Sequence, residues 1–517
     1  MAGGRKGIRK ISSEGEDRFD RAPSFPLRAV DPYISKTVPF KFRGIDFSFA
    51  LSHGLFSSAD IDTGTRLLLK VLSKTWDKDL KQGRMPPHTV LDSGCGMGVI
   101  GICAAKALEG LSPDNGLPLT VRCQDRDALA EAFTVYNAAL NGIKPGVLSA
   151  HTETMLEGTG PWDLILSNVP AKAGRSVHED FIRRAPAMLR TQGRLMLVVV
   201  NTLADFFRVG LAECLLAEEQ GKTHTVLSCG PAEKAPGVFA GWAGVYLRNS
   251  ASFSMEKTPY TLDTFYGEAG FDNPDFAIQN AVKLLERLHI DELLQEGRRP
   301  QPEDPSQEEG RVKTRREKNL PATGSKSPNR SFEGSLDILI HEPGQGHLPV
   351  WLISRLAARA GKDAGPADRL KIRMVLSGRN IIALKASRHN IEKALRNLPV
   401  AAALFPVPAI DLGLYAAALS PSGFDLSCPQ PAEAERAELP PAYDLVVTFP
   451  VPVPMTDRHA LCREALTRLL NPGGIAVAGM SVSEARRFDR LKIENCSRLG
   501  ELKRNGFCAL AYIKGIT

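Results

Sequence analysis

"VLDSGCGMGVIGICAAKAL", residues 90–108, reads in succession as a short apolar strand, an acid, and a glycine-rich turn opening a helix. Gly94, Gly96 and Gly98 let the backbone turn sharply and admit a ligand where any Cβ would collide, and the helix start adds free N–H groups. A single turn of this kind is a weak signal, because any tight strand-to-helix crossing favours glycine. The order of acid and glycines narrows it. Asp92 precedes the glycines, whereas a dinucleotide fold has its glycines first and seats a pyrophosphate on the helix end. An acid at that turn repels a pyrophosphate and suits a cationic aminoacyl sulfonium.

Working outward, strands are expected at "TVLD" from Thr89, "LTVRCQ" from Leu119, "DLILSN" from Asp163, "RLMLVVV" from Arg194 and "GVYLR" from Gly244, with helical patterns between them. Continuous apolar strands alternating with helices predict an α/β fold with a mostly parallel, doubly wound sheet covered on both faces. Ligands of such sheets bind beyond the carboxyl ends of the strands. Asp125 stands at one such end, either as a carboxylate for two ribose hydroxyls or as a helix N-cap. Asn168 stands at another, as a turn former or as a substrate holder.

The chain of 517 residues exceeds one ordinary core, and a segment at 291–332, rich in Pro, Gly and charge, predicts a disordered insert. Either side of it the sequence repeats: "DLILSNVPAKAG" from Asp163 answers to "DLVVTFPVPVPM" from Asp444, and the blocks before and after match in order. Two tandem copies of one unit are expected: a flexible basic tail over 1–30, a first unit over 31–250 and a second over 251–517. Aligned by pattern, Glu342 takes the place of Asp92, Gly344 and Gly346 those of Gly94 and Gly96, Leu348 that of Gly98, Ser387 that of Asp125 and Phe449 that of Asn168. The second copy therefore reads as degenerate and non-catalytic, packed on the first or gripping RNA.

Formal net charge is +7, a mild excess compatible with a polyanionic partner, and its local concentrations are the first residues and Arg311 to Arg330. Nine cysteines scattered singly argue against a disulfide framework and a zinc site. No apolar run reaches the ~18 to 20 residues of a membrane span. The expectation is a cytoplasmic monomer with intramolecular pairing of its halves, no metal and no membrane.

The Asp92 glycine loop, Asp125, the strand and loop from Asp163 to Gly174, and a lead-in "G-x-F-S…D-x-G-T-x-L-L" carried by Gly54, Phe56, Ser57, Asp62, Gly64, Thr65, Leu67 and Leu68 resemble the class I S-adenosylmethionine-dependent methyltransferases. Within these they resemble the methyltransferase small domain group, which includes the small-subunit ribosomal RNA guanine-N2 methyltransferases. The resemblance implies a Rossmann-like fold and S-adenosyl-L-methionine held by Phe56, Thr65, Asp92, Gly94, Cys95, Gly96, Gly98, Asp125, Arg126 and Asn168. It further implies catalysis by Asn168 and Pro170 on a guanine exocyclic amine of ribosomal RNA, naked or in the small ribosomal subunit.

Members of the group place Asn-Pro-Pro and an aromatic where this chain has Asn168, Val169, Pro170 and Ala171, so the motif's own stacking ring is missing and Phe56, Tyr33 and Phe181 are the candidates to supply one from elsewhere. Lys172 and Arg175 read as phosphate contacts or a solvated loop, and His178 and Glu179 as surface residues. Two other readings stay open: methylation of a protein amide or small molecule, and an RNA-binding or ribosome-assembly protein that keeps the fold without the reaction.

Overall fold

A computed structural model describes residues 27–111, 118–157, 160–232, 241–270, 273–296, 335–359, 370–418, 439–451 and 458–515. A 3-10 helix over Leu27–Tyr33 leads into the antiparallel hairpin β1 (Lys36–Phe42) and β2 (Ile45–Leu51), then α1 (Thr63–Lys81). The alternation β3 (Thr89–Ser93), α2 (Val99–Glu109), β4 (Thr120–Asp125), α3 (Ala128–Leu140), β5 (Leu148–Thr152), β6 (Trp162–Asn168), α4 (Arg175–Ala187), β7 (Leu189–Val200) and α5 (Asn201–Gly210) follows, closed by β8 (Leu215–Gln220) and β9 (His224–Cys229).

These strands form a seven-stranded sheet of order β5-β4-β3-β6-β7-β9-β8, parallel through β7 and antiparallel at β9 and β8. The apolar runs work as a doubly covered sheet requires. Val90, Leu164 and Leu166 point into one core while Leu91 and Ile165 point into the other. Each such fully buried Leu, Ile or Val contributes about 1.5 to 3 kcal/mol.

The pattern then recurs. Helix α6 (Gly241–Tyr246), hairpin β10 (Leu247–Met255) and β11 (Thr258–Phe265), α7 (Phe276–Arg287) and α8 (Ile290–Glu296) lead into β12 (Ser335–His341), β13 (Leu370–Gly378), β14 (Val400–Pro408), β15 (Tyr443–Thr448), β16 (Leu470–Ser481), β17 (Cys496–Arg504) and β18 (Phe507–Lys514). Their sheet has order β14-β13-β12-β15-β16-β18-β17, the same topology strand for strand. The chain is thus a tandem pair of Rossmann-like α/β units.

Four sequence expectations change. "GVYLR" is not a strand of the first sheet, because Tyr246 ends a helix and β10 belongs to the hairpin of the second unit; residue 250 lies inside that strand. Residues 27–30 of the expected tail sit in the 3-10 helix, with Val30 buried, while residues 1–26 lie outside the described residues. Residues 291–296 of the expected insert are helical, and the remainder of it, with Arg311 to Arg330, lies outside the described residues.

The alignment of the glycine loops slides by two residues. Gly98 N–H donates to Cys95 O (2.9 Å) and Ile102 N–H to Gly98 O (2.9 Å), as Gly346 N–H donates to Pro343 O (3.2 Å) and Val350 N–H to Gly346 O (3.0 Å). Thr134 Oγ1 donates to Gly96 O (3.2 Å) as Ser387 Oγ donates to Gly344 O (3.0 Å). Gly346 therefore matches Gly98, Gly344 matches Gly96, and Glu342 (φ 58°) occupies the left-handed position of Gly94 (φ 76°). Asp92 is matched by Ile340 and Asp125 by Gly378, while Phe449 does take the place of Asn168. Matching acid to acid hid this, because the second loop tolerates a strained glutamate where the first has glycine.

The units meet about a pseudo-twofold axis. Ala128 N–H donates to Arg379 O and Ile381 N–H to Arg126 O, both at 2.9 Å. Each unit's leading helix crosses to the other: the Tyr33 hydroxyl donates to the Asp411 carboxylate, and Met155 N–H donates to the Tyr246 hydroxyl (3.3 Å). Ile410 and Leu414 complete the core of the first unit, and Val177, Tyr246, Phe265 and Ile382 form a shared apolar cluster.

Candidate active site

The carboxyl ends of β3, β4 and β6 converge on one crevice. Gly94, Gly96 and Gly98 have φ of 76°, 55° and 80°, a region costly for any residue with a Cβ. A Cβ on Gly96 would meet nothing within 4 Å, and one on Gly94 would approach only the backbone carbonyl of Asn168, at 3.9 Å. These two positions form an open cradle. At Gly98 the Cβ would instead lie 2.8 Å from Thr134 Cγ2, so that glycine serves the packing of α2 on α3.

Asp125 closes one side of the cradle. Its Oδ2 accepts the Gly96 N–H (3.0 Å) and its Oδ1 the Asp127 N–H (3.1 Å). Burial, then the neighbouring charge of Asp127, raises its pKa, while those two N–H groups and Arg126 act in the opposite direction. The N-cap of α3 is Asp127, whose carboxylate accepts the Leu129 N–H, so Asp125 is not the cap.

Asn168 faces the cradle from the end of β6. Its Nδ2 donates to Asp62 Oδ2 (3.0 Å) and to Thr65 Oγ1 (3.2 Å). Two acceptors fix which end of the carboxamide carries the hydrogens, since a carboxylate only accepts. Oδ1, with no hydrogen-bond partner among the described residues, is left as an oriented acceptor. Asp62 is placed by its own duty as N-cap of α1, where the same Oδ2 accepts the N–H groups of Gly64 (2.8 Å) and Thr65 (3.2 Å).

Asp92 does not open onto the crevice. It is fully buried, its Oδ2 accepts the Gly101 N–H (2.8 Å), and burial pushes its pKa up to about 7. The acid read as facing a sulfonium therefore acts from behind, holding the first turn of α2. Cys95 also turns inward: its thiol lies 3.5 Å from Thr134 Oγ1, and hydrogen bonding with Cys123 together with burial raises its pKa. Only its backbone, donating to Gln124 O (3.0 Å), shapes the loop. Arg126 is exposed and donates to Gly267 O of the second unit (2.9 Å).

The loop after Asn168 is built differently from the expectation. Pro170 O accepts the Ala173 N–H (3.1 Å) and the Nε2–H of His178 (2.9 Å), so that carbonyl is engaged within the loop. His178 is buried at 4% exposure rather than on the surface, packed edge-on to Phe207, whereas Glu179 is exposed and pairs with Arg175 (2.8 Å). Lys172 is exposed. Of the three candidate stacking rings, Tyr33 and Phe181 are buried at 2% and 1%, and Phe56 is 76% exposed on the loop leading to Asp62.

Sequence reasoning named the cradle, Asp125, Thr65 and Asn168, which the structure brings together, and gave Asp62 and His178 no part in the site. The signal for Asp62 was present: an Asp one residue before "TGTRLLL" is a helix cap whose carboxylate has further acceptor capacity.

Residues 46–225 match the family model of the methyltransferase small domain. Two relatives, both named ribosomal RNA small subunit methyltransferase C, are 31% identical: that of Shewanella halifaxensis (strain HAW-EB4) over 165 residues, 30% of this chain and 42% of its own, and that of Actinobacillus pleuropneumoniae serotype 3 (strain JL03) over 179 residues, 34% and 49%. The chain thus spans less than half the length of these relatives. Among solved structures, a T. thermophilus 16S rRNA N2 guanine methyltransferase in complex with AdoMet and guanosine superposes with a TM-score of 0.52 at 15% identity, covering 95% of this chain and all of that one. That likeness carries the fold of both units.

Proposed function

We propose that this chain, whose residues 46–225 carry a methyltransferase small domain, is an S-adenosylmethionine-dependent N-methyltransferase acting on a guanine exocyclic amine of ribosomal RNA. The observation that carries it is the Asn168 carboxamide, oriented by Asp62 and Thr65 opposite the open glycine cradle. The residues fit the cofactor: the cradle at Gly94 and Gly96 has space where a Cβ would stand, and the Asp125 carboxylate at its edge can accept ribose hydroxyls in charge-assisted hydrogen bonds worth about 1.5 to 3 kcal/mol. S-adenosylmethionine supplies an electrophilic methyl group there.

The chain's own task is to present the nitrogen. The lone pair of an exocyclic amine is delocalised into the base. In this reading Oδ1 of Asn168 accepts one amine hydrogen and a neighbouring backbone carbonyl accepts the other; the Asn168 carbonyl, 3.9 Å from where a Gly94 Cβ would stand, is the candidate. Drawing both hydrogens toward these acceptors turns the lone pair toward the cradle, so the catalysis is positioning and polarisation. The relatives' name and the guanosine in the T. thermophilus complex support RNA as the class and guanine as the base. A base inside a stem has to be extruded, at a few kcal/mol. Phe56, 76% exposed on the loop leading to Asp62, is the candidate ring for stacking on the extruded base.

The test is a mass-spectrometric map of ribosomal RNA from cells lacking the protein, paired with methyl transfer by the purified full chain. We expect one N2-methylguanine to disappear, and Asn168→Ala to lower transfer at least about a hundredfold. A complete modification map in the deletion strain, or undiminished activity on nuclease-treated extract, refutes the RNA assignment in favour of a protein or small-molecule substrate. Absent cofactor binding favours a non-catalytic RNA-binding or assembly role.

A further inference from the structure

The seam between the units is symmetric in backbone and asymmetric in charge. Arg126 and Arg379 occupy equivalent positions, and each reaches across to an equivalent carbonyl: Arg126 Nη1 donates to Gly267 O (2.9 Å), Arg379 Nη2 to Gly54 O (3.0 Å). Their neighbours differ. Arg379 faces Asp127 and forms a two-pronged ion pair, Nε to Oδ1 at 3.0 Å and Nη2 to Oδ2 at 2.5 Å, with the guanidinium side chain 7% exposed. At the place equivalent to Asp127 stands Asn380, a neutral N-cap whose Nδ2 donates to Glu268 (2.6 Å), and Arg126 is exposed and acts on the Glu268 carboxyl by charge without a two-pronged pair among the described residues. Among the described residues the two-pronged ion pair at this position is formed on one side of the axis, and that side borders the cradle.

Both groups held by Arg379 belong to the edge of the crevice. Gly54 begins the loop that carries Phe56 to Asp62. Asp127 lies two residues beyond Asp125 and donates its N–H to Asp125 Oδ1 (3.1 Å). The charge of Asp127 opposes ionisation of Asp125, and the planar guanidinium, bound in two places to that carboxylate, fixes the Asp127 turn.

We propose that Arg379, contributed by the second unit, is a positioning residue for the nucleoside end of the cofactor: it ties the Gly54 loop to the Asp127 turn and so sets Asp125 for the ribose. This rests on the cofactor reading above. The second unit then has a defined share in the first unit's chemistry, although its own loop has Ile340, Gly378 and Phe449 where the first has Asp92, Asp125 and Asn168.

The test is calorimetric titration of the full chain with S-adenosylmethionine, in wild type and in an Asp127→Asn background that keeps a good N-cap without the charge. Arg379→Gln is expected to weaken binding about tenfold in the wild type and less than about threefold beside Asp127→Asn, within the 5- to 150-fold range usual for coupled sites. In turnover assays the variant should raise the cofactor KM and keep kcat at saturation. Equal losses in both backgrounds, unchanged affinity, a fall in kcat alone, or loss of a cooperative melt in Arg379→Gln would each overturn the proposal. Wild-type protein that gives no binding heat refutes the cofactor reading itself, which separates the two failures.

Discussion

The contact between Asp62 and Asn168 lends itself to a quantitative trial. Oδ2 of Asp62 does two jobs, capping α1 through the Gly64 and Thr65 N–H groups and accepting the Asn168 Nδ2 hydrogen at 3.0 Å. Asp62→Ser separates them. Serine caps a helix about as well as aspartate, so the melting temperature should stay within about 2 °C. Its hydroxyl is one bond too short for Asn168. Hydrogen bonds to a charged group contribute about 1.5 to 3 kcal/mol, or about tenfold to a hundredfold in rate if lost only from the oriented complex. Thr65 Oγ1, still 3.2 Å away, holds the loss toward the lower end. Methyl transfer to ribosomal RNA at saturating cofactor measures kcat, and calorimetry should show cofactor affinity unchanged within about twofold. Asp62→Asn keeps cap and acceptor and should recover most of the rate. If the Ser and Asn variants turn over alike, near the wild-type rate, the carboxamide is not held by Asp62 in any way that matters to the reaction.

Gly64→Ala should reproduce the Asp62→Ser defect from the other side, because the added Cβ would lie 2.8 Å from Asp62 Oδ2 and 3.0 Å from the His224 ring; a kinetic assay showing wild-type turnover would contradict this. Gly96→Ala and Gly98→Ala should part company. Both incur the left-handed cost of about 1 to 2 kcal/mol, but only Gly98→Ala also drives a methyl into Thr134, so it should lose the more stability in a thermal melt, while Gly96→Ala should lose the more cofactor affinity. Asp92 sets a pH dependence. Its folded pKa is raised to about 7, chiefly by burial, so its contribution to stability is present below the unfolded value near 4 and is lost as pH rises through 7. Wild type should therefore lose melting temperature relative to Asp92→Asn between pH 5 and pH 8, and parallel profiles would show that the carboxyl titrates normally.

The sequence made much of this visible. Apolar runs at Thr89, Asp163 and Arg194 are long and β-branched enough to mark central parallel strands, and the acid-and-glycine turn marked the crevice. The edges were less legible: β8 and β9 carry polar residues such as Glu218 and Thr225, and an antiparallel edge needs no continuous apolar run. "GVYLR" misled because a helix end and a strand start share its apolar residues. Residue type singled out Asp125 and Asn168 as candidates but did not give the direction in which side chains point. Asp92 and Cys95 turn inward and the Pro170 carbonyl is engaged by a buried histidine, facts fixed by how the turn and helix beside each residue pack rather than by residue type. The internal repeat was readable in order and blurred in register, since Glu342 adopts a glycine's conformation.

The crossing of the two leading helices bears on how the polypeptide matures. Tyr33 finds its carboxylate only when Asp411 has been made, 378 positions later, and Ile410 and Leu414 arrive equally late to seal the first hydrophobic interior. A nascent amino-terminal half must wait on the ribosome with that apolar seam uncovered. The unit that holds Asp125 and Asn168 is thereby closed last, by residues of the other unit.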